Sequence, residues 1–215
     1  ITLTAINKNR LGRINLNTRT FLQYGTGSIA NESALYLAGA NPEELMDNKY
    51  TRATGFFPVD WAGHDLTTNN FHAGGGLNLR GYAGYLVAHE DKNGEIRNVY
   101  KGNSGAALNV ELEFDKLIRF RPRFIRNIFK FNTYLFGDAG IINYNRPDED
   151  LGFADIRASA GIGTTLTIKK WGPLKMINPL IIRFDMPLFL NRIPATDPEN
   201  SYFKFRWVIG INRAF

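Results

Sequence analysis

Residues 105–114, with the sequence Gly-Ala-Ala-Leu-Asn-Val-Glu-Leu-Glu-Phe, decide the fold. Apolar and polar side chains alternate along this segment, which is the period of a β-strand with two different faces. The apolar set is Leu108, Val110, Leu112 and Phe114, and the opposite set is Ala107, Asn109, Glu111 and Glu113. The pattern predicts a strand with one apolar face and one acidic face.

The same alternation recurs along the chain, and helical periodicity hardly appears. It is found in residues 12–26, 131–142, 156–168, 180–188 and 202–215, and residues 1–8 have the character of the end of another strand. Several segments span about 10 to 14 residues, which is longer than a usual soluble strand and close to the roughly 9 to 11 that cross a tilted bilayer. The chain is therefore predicted to be all-β.

Composition narrows the class further. A length of 215 residues with 44% hydrophobic and 21% charged residues would suit one ordinary domain. The mean hydropathy is −0.25, and no apolar run approaches the roughly 18 to 20 residues of a membrane-spanning helix, which excludes a helical membrane protein. The absence of cysteine excludes disulfides and thiolate metal sites. Aromatic residues at 13% and 21 glycines favour twisted strands.

The polar faces of the predicted strands carry Glu, Asp, Arg, Lys and Gly. In a closed membrane barrel the apolar side chains meet lipid, while the charged ones line a wet interior. We therefore expect a transmembrane antiparallel β-barrel, with a soluble β-sandwich as the alternative. In the barrel, residues 27–104 form a long extracellular loop, and residues 105–215 form the last five strands.

Three sequence motifs resemble motifs of one known protein family, and they occur along the chain in the same order. Residues 79–82, Leu-Arg-Gly-Tyr, follow a glycine run and resemble the tip of the longest extracellular loop in the BamA/TamA outer-membrane insertase (surface antigen) superfamily. Residues 136–140, Phe-Gly-Asp-Ala-Gly, resemble the family's Phe-x-Asp-x-Gly strand motif, with Phe136 and Gly140 at its ends, and residues 112–114 resemble its acidic strand. The resemblance covers essentially the whole of residues 1–215.

The resemblance implies the C-terminal portion of such a barrel. The chain would supply about six or seven of roughly 16 strands, and the upstream strands and any periplasmic or enzymatic domain would precede residue 1. In the family, the loop is expected to stabilise the barrel and the lateral seam between its first and last strands.

The residues at the tip of the loop predict that ion pairs hold it against the inner face of the barrel. Arg80 needs carboxylates to receive its planar guanidinium, and Glu113 and Asp138 both fall on the polar, inward parity of their strands. We expect the loop to fold into the lumen with Arg80 held by these two side chains. Gly81 permits a tight turn beside Tyr82. The alternative is a solvated turn with a surface arginine.

The C-terminal strand pattern carries two further candidates. Gly210 and Phe215 resemble the C-terminal signal by which barrel proteins are recognised by the assembly machinery. A terminal phenylalanine at outward parity would also anchor at the lipid interface.

Residues 116–130 combine six basic side chains with aromatic and aliphatic ones, and the topology assigns them to the periplasm. Such a segment suits anionic inner-leaflet headgroups or a periplasmic partner. A strand end with snorkelling arginines is the alternative. A periplasmic location argues against nucleic acid as the binding partner of this segment.

No credible active site is found in the sequence. His64, His72 and His89 are scattered over the loop without the spacing of a zinc site. Residues 103–105 lack the flanking pattern of a nucleophile elbow. We therefore predict no catalytic residue, no metal and no cofactor.

The resemblance implies a non-enzymatic protein of a Gram-negative outer membrane that inserts or exports other outer-membrane proteins. A weakly paired seam would let substrate strands add to a sheet edge. Its partners would be outer-membrane lipids, unfolded outer-membrane proteins and periplasmic or lipoprotein components, with no nucleic acid. Two alternatives stay open, which are the membrane anchor of an N-terminal hydrolase domain and a passive pore.

Overall fold

A computed structural model describes residues 1–27, 29–47, 70–83, 85, 88–90, 94, 96–98, 101–114, 128–144, 152–153, 155–169, 180–194 and 201–215. These residues are mostly β-strand. The strands are β1 (Thr2–Leu11), β2 (Ile14–Gln23), β3 (Leu35–Tyr36), β4 (Ala88–Glu90), β5 (Ile96–Asn98), β6 (Lys101–Gly102), β7 (Ser104–Glu113), β8 (Phe129–Tyr144), β9 (Gly152–Phe153), β10 (Arg157–Ile168), β11 (Leu180–Leu190) and β12 (Val208–Ile211). One short helix, α1 (Pro42–Asp47), is present in this part of the chain.

The long strands form one antiparallel sheet in the order β1-β2-β7-β8-β10-β11-β12, with β9 paired to β8. The prediction of an antiparallel all-β fold is confirmed. Over the described residues the sheet is open, with β1 and β12 as its two edges. The expected loop of residues 27–104 contains structure of its own, because β3 pairs with β6 and β4 pairs with β5.

Local chemistry accounts for the first hairpin. The strands β1 and β2 are joined by Gly12 and Arg13, and Gly12 has a φ of +62°. A two-residue hairpin turn requires this left-handed backbone, which glycine adopts without steric cost.

The two faces of the sheet have inverted polarity. Residues paired across antiparallel strands share a face, so the register assigns each side chain to one side. We call the apolar side the outer face and the other side the inner face. Leu108 and Leu135 on the outer face are 48% and 44% exposed, whereas Asn109 and Asp138 on the inner face are at most 2% exposed. In a soluble sheet the apolar face is the buried one.

The last strand is shorter than predicted. Alternation predicts a strand over residues 202–215, but regular pairing with β11 is limited to β12, and one isolated bridge joins Phe203 to Phe189. The cause lies in β11, where Pro187 has no N–H to donate to a ladder. The pairing of β11 with β10 also shifts at this level, between Ala160 and Gly161.

A small apolar cluster covers one end of the inner face. It joins strand residues to residues of the loop, namely Phe21, Leu35, Leu37, Leu77, Leu79, Tyr82, Ala107, Ile142 and Leu190. The cluster shields the polar side chains beneath it from solvent. In the part of the chain that the structure describes, no helix has the length and apolar character needed to cross a membrane.

Candidate functional site

Residues 70–83 lie against the inner face of the sheet. Their path depends on left-handed backbone at Gly76 (φ +50°) and Asn78 (φ +60°), which glycine and asparagine tolerate best. Leu77 and Leu79 are fully buried in the apolar cluster. The 3₁₀ turn at Arg80–Tyr82 then directs Arg80 onto the polar side chains of β7 and β8.

Arg80 is completely buried and fully engaged. Its Nε and Nη2 donate to the two carboxylate oxygens of Asp138, each at 2.9 Å, and its Nη1 donates to Oε1 of Glu111 at 2.7 Å. Its backbone N–H donates to Asp138 as well, at 3.2 Å. The guanidinium carbon lies 4.0 Å from the ring centroid of Phe136. Two carboxylates that accept hydrogen bonds, a third carboxylate (Asp185) at 3.9 Å and one aromatic face thus hold a single cation, and we call this arrangement the loop lock.

Burial alone would lower the pKa of Arg80, but the carboxylates of Asp138, Asp185 and Glu111 outweigh it and raise the pKa well above its ordinary value. These carboxylates therefore favour the cationic form of Arg80. Burial also raises the pKa of Tyr82, so its phenol remains protonated and able to donate.

The structure brings Arg80 and Asp138 together but replaces the other expected partner. Glu113 does not bind Arg80. It accepts from Asn15 at 3.1 Å and from Asn17 at 3.0 Å, and it pairs with Arg213. Glu111 and Glu113 share one face, and residues two apart on a strand are separated by roughly 6.6 Å. The tip of the loop reaches the level of Glu111, so the prediction for Glu113 was wrong.

Gly81 and Tyr82 attach the tip to β10 and to the end of β11. The Gly81 N–H donates to Ser159 Oγ at 3.3 Å, and a Cβ on Gly81 would lie 2.5 Å from side-chain atoms of Ser159 and Leu190. The Tyr82 hydroxyl donates to Asn191 Oδ1 at 2.9 Å. No larger residue fits at position 81 without displacing the tip.

The strand-motif glycine allows close approach of β7, and the C-terminal glycine allows close approach of the loop. A Cβ on Gly140 would lie 3.0 Å from the Ala106 carbonyl oxygen and 3.2 Å from the Ala107 Cβ on β7. A Cβ on Gly210 would lie 2.6 Å from the His72 carbonyl oxygen. Phe215 is partly buried beyond β12. A role for Gly210 and Phe215 as a recognition signal stays a prediction.

A second clamp was not predicted. Arg19 on β2 donates to the Gly76 carbonyl and to Asn109 Oδ1, both at 2.8 Å. Asn109 in turn donates to the Asn78 carbonyl and to Asp138 Oδ1, both at 3.1 Å. The inward parity of Arg19 and Asn109 was visible in the sequence, but their partners lie 29 to 90 residues away.

A third clamp centres on His72, which is 2% exposed. Arg183 donates to its Nδ1 at 2.6 Å, and its Nε2 contacts the Ala38 carbonyl at 2.8 Å. A guanidinium only donates and a carbonyl only accepts, so the neutral imidazole carries its proton on Nε2. Burial lowers the pKa of His72 well below its ordinary value, and the nearby cations Arg183 and Arg80 lower it further.

Few of the remaining residues singled out in the sequence lie within the described part of the chain. His64 and most of the basic segment 116–130 lie outside the described residues, whereas His89 belongs to β4. Among the residues whose placement is described, no group of His, Cys, Asp and Glu is arranged to hold a metal ion.

The inner face buries both cationic and anionic side chains. Each buried cation meets at least one carboxylate, amide or carbonyl, which is the condition under which buried charges are tolerated. Among the described residues, the buried arginines include Arg19, Arg80, Arg157 and Arg183, and the buried carboxylates are Glu111, Glu113, Asp138 and Asp185, while the partly exposed Arg213 pairs with Glu113. This chemistry holds a loop in place. No family model, no curated protein and no solved structure matches this chain.

Proposed function

We propose that this chain is part of the wall of a BamA/TamA-like outer-membrane β-barrel, in a protein that inserts or exports other outer-membrane proteins without enzymatic chemistry. The observation that carries the proposal is the inverted polarity of the sheet. Its apolar face is exposed and its charged face is buried.

The exposed face matches lipid better than water. Leu22, Leu108, Phe131, Leu135 and Ile182 share the outer face and are all exposed. Leaving apolar surface in water costs roughly 25 cal/mol per Å², so a contiguous face of this kind needs a nonpolar environment. The hydrocarbon of a bilayer provides one, and strands that bond to each other satisfy their backbone groups there.

The loop lock supports a barrel whose lumen is closed by its own loop. Residues 70–83 occupy the inner face with Arg80 completely buried. A passive pore would need that space to be open and filled with water. The loop therefore favours an assembly factor or a membrane anchor over a channel.

Membrane exposure is tested with two adjacent positions on β1. Leu3 lies on the outer face and Thr4 on the inner face, and both are exposed. Because the chain has no cysteine, Leu3→Cys and Thr4→Cys each carry one fluorescent label. In vesicles, brominated lipid should quench the Leu3 label and aqueous iodide the Thr4 label. Equal access of iodide to both positions contradicts the barrel.

Assembly activity is tested with the protein that contains this chain, reconstituted in phospholipid vesicles. It should accelerate the insertion of an unfolded eight-stranded outer-membrane barrel protein severalfold over empty vesicles. Arg80→Ala should reduce that acceleration, and Arg80→Lys should retain part of it. No acceleration despite membrane insertion points to an anchor. Stable large single-channel currents, unaffected by Arg80→Ala, point to a pore.

A further inference from the structure

One edge of β12 pairs with β11, and the opposite edge already bonds to the chain's own loop. The Ile209 N–H donates to the Asn70 carbonyl at 2.6 Å, and the His72 N–H donates to the Ile209 carbonyl at 2.8 Å. Phe71 is thereby the parallel bridge partner of Ile209. Since β11 occupies the other side of β12, residues 70–72 bond to the edge of β12 that no described strand of the main sheet pairs with.

Further contacts at His72 and Ala73 hold residues 70–72 in place. The His72 side chain contacts Arg183 and the Ala38 carbonyl, and the His72 carbonyl accepts from Arg183 Nη2 at 3.1 Å. The Ala73 carbonyl accepts from the Ala40 N–H at 3.0 Å. His72 thus joins the edge contact to both the inner face and the earlier part of the loop.

We propose that residues 70–72 are a built-in edge strand that must leave β12 before a strand from another chain can pair there, and that His72 is the positioning residue that keeps it in place. The inference rests on the proposed function, because it concerns the edge at which a client strand would add. Exposed sheet edges pair readily with other strands, and proteins commonly cover them. Here the cover is only two backbone hydrogen bonds long, so a longer client strand would form more bonds than it displaces.

A reversible crosslink tests the displacement directly. Phe71→Cys and Ile209→Cys are introduced together into the full protein, which has no other cysteine in this chain. Neighbouring strands lie roughly 4.8 Å apart, within the Cα–Cα range of about 4.4 to 6.8 Å that a disulfide spans. The probe is a labelled synthetic peptide with the sequence of residues 202–215. We expect the reduced protein to bind the peptide at least tenfold more tightly than the oxidised protein.

The anchor is tested by His72→Ala in the same double-cysteine protein. Its crosslinking yield should fall severalfold and its peptide affinity should rise. The matched control is His89→Ala, which changes a histidine in the separate β4–β5 pair and should alter neither quantity. Equal peptide binding by oxidised and reduced protein, or failure of the parent pair to crosslink, overturns the inference.

The two proposals fail separately. If crosslinked and reduced proteins accelerate barrel insertion equally, the built-in edge strand is wrong and the proposed function stands. If neither form accelerates insertion, the proposed function is wrong, and the peptide-binding difference still decides whether residues 70–72 guard the edge.

Discussion

Basic side chains lie on the inner face of β1 and on the inner face of other strands of the sheet. On β1 they are exposed to solvent, whereas on β2 and β11 they are buried. Lys8 and Arg10 on β1 are exposed, whereas Arg19 on β2 and Arg183 on β11 are 6% and 1% exposed. All four share the inward parity of the register. The difference is the described part of the loop, which contacts strands from β2 to β12 and does not cover β1. Parity determines the face of a charge, and the loop determines whether that charge is buried.

The covered region should therefore depend on its ion pairs and the bare region should not. Removing one partner from a buried pair leaves the other charge desolvated and unpaired. An exposed charge on a strand keeps its water when a neighbour changes. Substitutions in the two regions separate these effects.

The largest expected effect follows Arg80→Ala. This change leaves Asp138 and Glu111 buried without their cation, and it should lower the free energy of unfolding by about 3–5 kcal/mol. The measurement is a urea titration in detergent, followed by tryptophan fluorescence. Arg10→Ala on bare β1 is the matched control and should leave the transition midpoint unchanged. Equal destabilisation by both changes would remove the distinction between the two regions.

A smaller effect is expected from Gly81→Ala. The added Cβ would lie 2.5 Å from atoms of Ser159 and Leu190, so the tip must shift, at about 1–3 kcal/mol. Gly137→Ala on the outer face is the control, because a Cβ there meets nothing within 4 Å. The same urea titration should give a lower midpoint for position 81 alone.

Acidification should give the smallest change. Burial, Arg183 and Arg80 lower the pKa of His72 below its ordinary value of 6.5, so the folded protein keeps this imidazole neutral. The unfolded chain takes up a proton as the pH falls through about 6.5, and the folded chain does not. Stability is therefore full above that value and declines below it.

The check is the urea midpoint measured from about pH 7.5 to about pH 5.5. His72→Gln should flatten the decline, because an amide can accept from Arg183 and donate to Ala38 without titrating. An unchanged slope in the glutamine variant would assign the decline to other groups.

Alternation was sufficient to predict the long strands and, where the register is regular, the face on which their residues lie; beyond the register shift in β11, Leu190 lies on the inner face although it has the parity of Ile182. In β7, residues 105–114 predict the strand, and the structure buries Asn109, Glu111 and Glu113 while Leu108 is exposed. The period of two is a property of neighbouring residues, so it is visible in a short window of sequence.

Neither how far the loop reaches into the polar interior nor which side chains pair with each other could be predicted from the sequence. Glu111 and Glu113 have the same parity, and only the reach of the loop decides which one receives Arg80. His72 looked like one of three scattered histidines, because its partner Arg183 is 111 residues away. The length of β12 was overestimated, since the irregularity arises at Pro187 in the neighbouring strand.

The long sequence separations in the polar interior also bear on the order of folding. Arg80 and Asp138 are 58 residues apart, and Arg19 and Asn109 are 90 apart. Contacts between distant segments form late, because the entropy of closing a long chain segment must be overcome first. Until then these charges stay hydrated, and hydrated charges favour solubility of the unfolded chain. The charges that later bind the loop would first delay aggregation of the unfolded polypeptide.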